Sequence, residues 1–226
     1  TKDGRIVAGE ALLHFQAGAF QGSPVQPAAM CAFAPYDLTD VKVVGYDVVS
    51  NRPKVAAYRA PGAPISEYAV ESVIDEITKK IGMDPIDFRL LNAAKKGTKS
   101  SYGPTFKAIG LEATLRALKE HPNYTKPLGP NQGRGVACGF WFNFGGQTCV
   151  SLNINIDGTV ALAVGTPDIG GSRASMCMIA AEELGAPLDW VTVVMGDTAI
   201  VPYDQQTSAS RSTVLMGNAV LAACRD

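Results

Sequence analysis

Hydrophobic and polar residues repeat with two different periods along this chain, and each period predicts one kind of element. A strand pattern over residues 6–15 and β-rich runs over 41–49 and 191–195 predict strands. Apolar residues recur at four-residue steps over residues 65–81, which predicts an amphipathic helix that ends at Gly82. Strands and helices that follow one another without a regular alternation indicate an α+β fold.

Shorter elements fill the first half of the chain. The run 53–58 is separated from 41–49 only by turn residues, so we expect the two to form an antiparallel hairpin. Asp84 is expected to cap a helix over residues 86–94, and apolar spacing predicts another helix over 111–121.

Alternating patterns predict three consecutive strands in the second half, over residues 135–143, 148–156 and 159–164. The last two are expected to be joined by a hairpin turn at Asp157-Gly158.

Three prolines within residues 121–132 predict a boundary near residue 128. Residues 129–226 contain four Arg, no Lys and eight Asp or Glu. This charge density is about half of the usual ~25%, so we expect other protein or a cofactor to cover much of that surface. We predict two mixed sheet-and-helix domains, 1–128 and 129–226. Strand and helix patterns that run up to both ends lead us to expect a fragment of a longer polypeptide.

Composition argues against several classes of function. The net charge of −1 gives no support to binding of nucleic acid or an anionic membrane. No apolar run reaches membrane-spanning length, so we expect no membrane span and a soluble chain. The five cysteines contain no C-x-x-C pair, which indicates reduced thiols, no zinc or iron–sulfur ligation within the chain, and a cytoplasmic location. Two distant histidines do not indicate a metal site.

A glycine loop is the first candidate for chemistry. The strand pattern ending at Val164 is followed by a loop that contains Gly170, Gly171 and Ser172, and a helix pattern begins at Arg173. Adjacent glycines allow close approach of a ligand, and the free N–H groups of a first helical turn attract anions. The loop therefore predicts a site for a phosphate-bearing cofactor. The alternative is a tight turn with Ser172 as a helix cap.

A hydroxyl-rich stretch is the second candidate. Five of the seven residues 207–213 carry a hydroxyl, and they open the last helix pattern. One cap needs fewer hydroxyls, so the two loops could together hold the two ends of a long anionic ligand. The alternative is two unrelated capped helices.

Five segments follow one another along the chain: AYRAPG (residues 57–62), DPIDFRLLN (84–92), Asp157-Gly158, Gly165-Thr166 and the segment 207–213. Together they resemble the molybdopterin-binding large subunit of the xanthine dehydrogenase/aldehyde oxidase family. The resemblance covers essentially the whole chain. It implies that residues 1–128 are the C-terminal part of a first molybdopterin-binding domain and 129–226 the N-terminal part of a second.

The resemblance also implies a chemistry. Such an enzyme oxidises an aldehyde or N-heterocycle with water-derived oxygen and passes electrons to iron–sulfur clusters and FAD on partner domains or subunits of a hetero-oligomer. Its cofactor is molybdenum-molybdopterin, here expected in the cytosine dinucleotide form. The dithiolene of the pterin holds the metal, so no side chain is predicted as a ligand.

The resemblance assigns cofactor-binding roles to particular residues. Tyr58 and Arg59 would border the molybdenum, and the alternative for Arg59 is a salt bridge that braces the turn. The pterin would lie along Gly170, Gly171 and Ser172. The pyrophosphate and pterin groups would contact the loop residues Thr207, Ser208, Ala209, Ser210 and Ser212. No catalytic residue is predicted within the chain, because the family's glycine-phenylalanine loop and its general-base glutamate would lie outside it. The chain alone is therefore expected to be inactive.

Departures from the family pattern limit the substrate. Gly170-Gly171 lacks the glutamine that many members carry between these glycines. Ala60 replaces the cysteine of carbon monoxide oxidisers, and Pro61 replaces the aromatic residue of purine oxidisers, so neither substrate is expected. Three aromatic residues could pack on another substrate or belong to the core: Trp141, Phe142 and Phe144.

Two other functions compete with the enzyme. The parent protein could be a non-catalytic molybdopterin scaffold or assembly module. A nucleotide-binding domain is disfavoured, because no G-x-G-x-x-G follows a first strand.

Overall fold

The computed structural model describes residues 1–142, 145–208 and 210–226. Within them the chain divides into two units, Thr1–Trp141 and Phe142–Asp226. The segment that follows residue 128 packs on the first unit, because the backbone N–H groups of Cys138 and Phe140 donate to carboxylates of that unit. The boundary between cofactor domains near residue 128 stays a prediction.

The first unit combines two strands with five helices among its described residues. In chain order they are β1 Ala8–Gly18, α1 Val25–Cys31, β2 Asp40–Val49, α2 Ala63–Ile81, α3 Pro85–Asn92, α4 Leu111–Glu120 and α5 Pro122–Thr125. β1 and β2 pair in parallel, with Ala8 opposite Asp40. The strands expected over 6–15 and 41–49 are confirmed, and so are the three helices expected in this half of the chain.

The antiparallel hairpin expected between residues 41–49 and 53–58 is wrong. β2 pairs with β1 instead, and residues 53–58 form no strand. Pro53 has no N–H to donate to a ladder. The segment instead bonds to the end of β1, because the N–H of Val55 donates to the carbonyl of Ala17 at 3.1 Å.

The buried face of helix α2 is not formed by the apolar residues whose spacing predicts the helix. Ile65 and Val73 are more than half exposed, whereas Val70 and Ile74 are buried. Three polar residues of the same helix are also buried: Ser66, Glu71 and Thr78. The helix therefore faces its core with a mixed polar and apolar surface, and each buried polar group needs a partner there.

The motif at residues 84–92 holds the first unit together. Asp84 caps α3, since its Oδ1 accepts the N–H groups of Ile86 and Asp87 at 2.9 and 3.0 Å, as expected. Asn92 is fully buried and accepts the N–H of Ile6 at 2.8 Å while it donates to the carbonyl of Gly4 at 3.0 Å. The end of α3 thereby fixes the start of the chain.

Among its described residues, the second unit forms a three-stranded sheet covered by two α-helices. Its elements are β3 Val150–Ile154, β4 Val160–Val164, α6 Ser172–Leu184, a short 3₁₀ helix Leu188–Trp190, β5 Val191–Met195 and α7 Ser212–Arg225. β4 lies in the centre, antiparallel to β3 and parallel to β5, so α6 is the crossover between parallel strands. The core lies where Leu162 and Val164 of β4 pack with Met176 and Met216 of the helices.

Most elements expected in the second half are confirmed, including the turn at Asp157-Gly158, where Gly158 has φ +85°. The strand expected over 135–143 is wrong for residues 135–142, and Asn143 lies outside the described residues. The N–H groups of that segment bind glutamate side chains instead of a neighbouring strand. Helices and small sheets occur in both units, so the α+β class is confirmed.

None of the helices in the described part of the chain has both the length and the apolar character needed to cross a membrane. All five cysteines are unpaired.

Candidate functional site

The glycine loop connects β4 to α6 and leaves its backbone open. Gly170 and Gly171 have φ of +66° and +82°, and a Cβ atom added at either would meet no atom within 4 Å. Among the described residues, the N–H groups of Gly170, Gly171 and Ser172 donate to no acceptor. Three unpaired N–H groups at the start of a helix form a site where an anion or a carbonyl oxygen can bind.

Asp168 is a residue of this loop that the sequence reasoning missed. Its Oδ1 accepts the N–H of Arg173 at 3.1 Å and lies 3.3 Å from Ser172 Oγ. Gly171 is the N-cap residue of α6, and Ser172 Oγ accepts the N–H of Ile169 at 3.3 Å. The Asp168 carboxylate therefore binds the N–H of Arg173 in the first turn of α6. It leaves the N–H groups of Gly170, Gly171 and Ser172 for another ligand.

The hydroxyl-rich loop lies against the glycine loop. The Oγ1 atoms of Thr166 and Thr207 are 2.9 Å apart, and Ser212 Oγ is 3.4 Å from Thr207 Oγ1. A Cβ atom added at Gly165 would lie 2.4 Å from the carbonyl oxygen of Pro202, so only glycine allows this approach. The two loops that the sequence suggested could act together are therefore in contact, and the alternative of two unrelated capped helices does not describe this arrangement.

The remaining hydroxyl-loop residues lie at the start of α7. Ser210 has a left-handed φ of +61°, which is uncommon for a residue with a side chain. The carbonyl of Ser208 accepts the N–H of Arg211 at 3.1 Å, while the Ser208 side chain is exposed. Ala209 lies outside the described residues.

Arg211 stands inside this loop and was also missed by the sequence reasoning. Its guanidinium is buried, donates to the carbonyls of Gln206 and Gln147, and lies 3.7 Å from Asp204 Oδ1. Its Nε is buried and has no partner among the described residues. An orphaned donor and three free N–H groups fit a ligand rich in oxygen acceptors. The sequence feature that could have identified Arg211 is an arginine within a run of hydroxyl residues.

In the first unit, Tyr58 and Arg59 lie in a strained turn before α2. Arg59 and Ala60 both have positive φ, at +32° and +46°, and Gly62 follows at +84°. Such backbone persists only where its surroundings hold it, and it is frequent at ligand sites. Both side chains are exposed, and Arg59 forms no ion pair with a described residue, so the bracing salt bridge is not seen.

Contacts of Gly62 and α2 hold this turn. A Cβ atom added at Gly62 would lie 2.2 Å from the carbonyl oxygen of Pro24, and Ser66 Oγ donates to the carbonyl of Ala28 at 2.8 Å. The turn is therefore fixed against α1 by a close backbone approach and a buried hydrogen bond.

Two glutamates of α2 bind the segment that ends the first unit. Glu71 Oε2 accepts the N–H of Cys138 at 2.8 Å, and Glu67 Oε1 accepts the N–H of Phe140 at 2.6 Å. Glu67 and Glu71 lie four residues apart on one face of α2, and they thus bind two residues that lie two positions apart in an extended segment. Burial, together with the charge of Glu71, raises the pKa of Glu67 to about 7 against the opposing effect of the Phe140 N–H.

Glu71 also belongs to a buried ionic network. Arg89 donates from Nε and Nη2 to Glu71 Oε2 at 2.9 and 2.7 Å, and from Nη2 to Asp75 at 3.0 Å. Tyr36 donates to the other carboxylate oxygen of Glu71, and burial raises the pKa of its phenol above the usual range. These groups satisfy one another, so the network is structural. Within the described ranges, no group of three or more His, Cys, Asp or Glu side chains could hold a metal ion.

Two family models match the chain, and both are described as molybdopterin cofactor-binding domains. One matches residues 1–93 and the other residues 109–226.

Individual proteins give the same result. The chain is 30% identical over 193 residues to the xanthine dehydrogenase molybdenum-binding subunit of Escherichia coli O157:H7, which covers 77% of this chain and 25% of that protein. It is 26% identical over 209 residues to the aldehyde oxidoreductase of Megalodesulfovibrio gigas, covering 85% and 23%. The crystal structure of the aldehyde oxidoreductase from Desulfovibrio desulfuricans matches with a TM-score of 0.85 at 28% identity, over 99% of this chain and 27% of that one. The chain thus spans about a quarter of the length of these relatives.

Proposed function

Because this chain belongs to the molybdopterin cofactor-binding family of xanthine dehydrogenases and aldehyde oxidoreductases, we propose that it forms part of the cofactor site of a molybdenum-dependent hydroxylase. The proposed reaction is the oxidation of an aldehyde or an N-heterocycle. When bound, the molybdenum cofactor would supply the two-electron oxidation of a substrate C–H bond with oxygen derived from water. This chain would bind and orient that cofactor.

The joined loops of the second unit carry this proposal. The free N–H groups of Gly170, Gly171 and Ser172 would donate to the pterin and its substituents. The hydroxyls of Thr207, Ser208, Ser210 and Ser212 would donate to the pyrophosphate. We propose a dinucleotide form of the cofactor, because two joined loops offer donors to a long ligand; the family resemblance leads us to expect cytosine as its base.

In the first unit, Tyr58 and Arg59 would border the metal. The proposal rests on the fixed left-handed turn, whose N–H groups can be directed at a ligand. The family resemblance assigns the general base to a residue outside this chain, so we assign no proton transfer to it.

We propose that the electrons pass to iron–sulfur and FAD groups on partner subunits or domains. The names of several relatives call them molybdenum-binding subunits, which supports an assembly with other subunits. Ala60 and Pro61 disfavour carbon monoxide and purines as substrates. Unpaired cysteines support a cytoplasmic location.

The single observation that supports the proposal is the 2.9 Å contact between Thr166 and Thr207, because it brings the hydroxyl-rich loop against the loop that carries the free N–H groups. Its test is the triple variant S208A/S210A/S212A in the protein that carries this chain, purified with its partners. We expect molybdenum content by elemental mass spectrometry, and oxidised-pterin fluorescence, to fall at least twofold together. Each lost hydrogen bond to a charged group is worth about 1.5–3 kcal/mol.

The matched control is S151A/T192A, which removes exposed hydroxyls from β3 and β5 of the same unit. We expect it to retain the wild-type cofactor content. Full occupancy in the triple variant would refute the pyrophosphate assignment. A wild-type protein that lacks molybdenum and pterin, from a host that makes the cofactor, would refute the hydroxylase and favour the non-catalytic scaffold.

A further inference from the structure

A short hairpin outside the candidate site presents a concentrated positive charge. Residues 95–107, which we name the basic hairpin, contain four lysines and no carboxylate. Its arms are held by backbone hydrogen bonds from Gly97 to Phe106, from Phe106 to Thr98 and from Ser100 to Pro104, at 2.8 to 3.0 Å. The backbone of the basic hairpin is therefore ordered.

Side chains alternate between the two faces of the basic hairpin. Thr98 and Ser100 are buried, and Phe106 packs edge-on against Phe140 with ring centroids 5.8 Å apart. Lys99 lies between the two buried residues and is exposed. Its bridge partner Thr105 and the following Lys107 are exposed on the opposite arm. The aromatic residue thus anchors the inner face, and lysines from both arms share the outer one.

These lysines have little compensation within the first unit. Lys95 lies 3.7 Å from Glu112. Lys96, Lys99 and Lys107 have no carboxylate within ion-pair distance among the described residues. Residues 1–141 carry 17 Lys or Arg and 13 Asp or Glu, a net charge of +4, whereas residues 142–226 carry 3 and 8, a net charge of −5. The hairpin concentrates positive charge on a chain whose total charge is −1.

We propose that the basic hairpin is a docking surface for the acidic face of a protein partner. The charges are preorganised on an anchored scaffold, so less conformational entropy is lost on docking. Three unpaired lysines suit a small, electrostatically steered contact, in which charge mainly raises the association rate. The inference does not depend on cofactor binding.

Other polyanions fit this surface less well. Nucleic-acid sites combine cations with exposed aromatic rings for stacking, but Phe106 and Tyr102 pack on Phe140. The cations are all lysine, whereas arginine predominates in bidentate phosphate and base recognition. A membrane-binding hairpin would also expose large apolar side chains, and the described residues 95–107 expose none.

The test uses the protein that carries this chain and fluorescein-labelled poly-L-glutamate as the acidic probe, with binding read by fluorescence anisotropy. In 20 mM NaCl, we expect the variant K96E/K99E/K107E to bind at least tenfold more weakly than wild type. The difference should shrink in 200 mM NaCl, because salt screens exposed charges. The neutral variant K96Q/K99Q/K107Q should show an intermediate loss, which keeps the test informative if charge reversal disturbs folding.

The matched control, K2E/K79E/K126E, makes the same change in net charge at exposed lysines outside the hairpin. We expect its affinity to stay within threefold of wild type. An equal loss in both triple variants would overturn the proposal, because net charge alone would then explain binding. Tighter hairpin-dependent binding of duplex DNA or of phosphatidylserine vesicles than of poly-L-glutamate would also overturn it, in favour of those partners. Absence of poly-L-glutamate binding in 20 mM NaCl would overturn it outright.

Discussion

Removal of Arg89 should destabilise the first unit strongly. In Arg89→Met the buried carboxylate of Glu71 loses both guanidinium bonds and keeps only the Tyr36 hydroxyl and the Cys138 N–H. An uncompensated buried charge costs about 3–5 kcal/mol. Glu71→Gln keeps the shape of the side chain and leaves Arg89 with Asp75, so we expect a smaller loss of about 1.5–3 kcal/mol.

The double variant E71Q/R89M should lose less stability than the sum of the two single variants. It contains neither buried charge, so the penalty for an unpaired ion disappears. Residues in direct contact typically couple by about 0.5–3 kcal/mol, and we expect this buried pair at the upper end of that range.

The two tryptophans provide the assay, since Trp141 lies in the first unit and Trp190 in the second. In a Trp190→Phe background, Trp141 fluorescence reports urea unfolding of the first unit alone. With a urea slope of about 2 kcal/mol per molar, R89M should lower the midpoint by about 1.5–2.5 M. The exposed pair Arg116–Glu112 is the control, because R116M should cost less than about 1 kcal/mol. Additive single-variant losses, within about 0.5 kcal/mol, would refute the network.

Two further predictions use the same fluorescence assay. The raised pKa of Glu67, about 7, means that the folded unit favours the protonated side chain. Its contribution to stability is therefore complete below about pH 4.5 and is lost as pH rises through about 7, a fall of about 1–2 kcal/mol after allowance for partial exposure. E67Q should remove this fall and E76Q, on the exposed face of α2, should retain it; an unchanged pH profile in E67Q would contradict the assignment. Ser66→Ala should cost about 1 kcal/mol, because it deletes a buried hydrogen bond, whereas Ser100→Ala should cost nothing, because that buried hydroxyl has no partner among the described residues. Equal losses in these two variants would argue against this reading of the two hydroxyls.

Local pattern predicts most helices and most strands of the described residues, because capping and periodicity act within a few residues; the short helices α1 and α5 were missed. Asp84 and Gly82 mark helix ends that the structure retains. The two strand errors have a long-range cause. Two extended segments can have the same sequence pattern and different hydrogen-bond partners. The N–H groups of 41–49 bind a neighbouring strand, whereas those of Cys138 and Phe140 bind the side chains of Glu71 and Glu67.

The same limit applies to the candidate site. Glycines and hydroxyls predict two polar loops, but the contact between Thr166 and Thr207 joins residues 41 positions apart. Arg211 was missed because its role depends on such packing: its guanidinium is buried and donates to the carbonyl of Gln147, 64 positions away. The role of Asp168 is local, because its carboxylate accepts the N–H of Arg173, five residues further on.

Family membership and ligand chemistry are carried by different residues in this chain. The most specific motif, at 84–92, is used for a helix cap, a buried ion pair and an amide that fixes the chain start. Within the described residues, the side chains of Asp84, Arg89 and Asn92 are all engaged in these bonds and in the bond from Tyr124 to Asp84, so the motif identifies the scaffold and not the substrate. The groups left free are backbone N–H groups and short hydroxyls, which can bind a cofactor common to many enzymes but cannot by themselves distinguish one small organic substrate from another. Under the proposed function, substrate choice would depend on side chains beside the reacting group. We therefore expect variants at Ala60 and Pro61 to change the ratio of kcat/KM between an aldehyde and an N-heterocycle, while molybdenum content stays at the wild-type level.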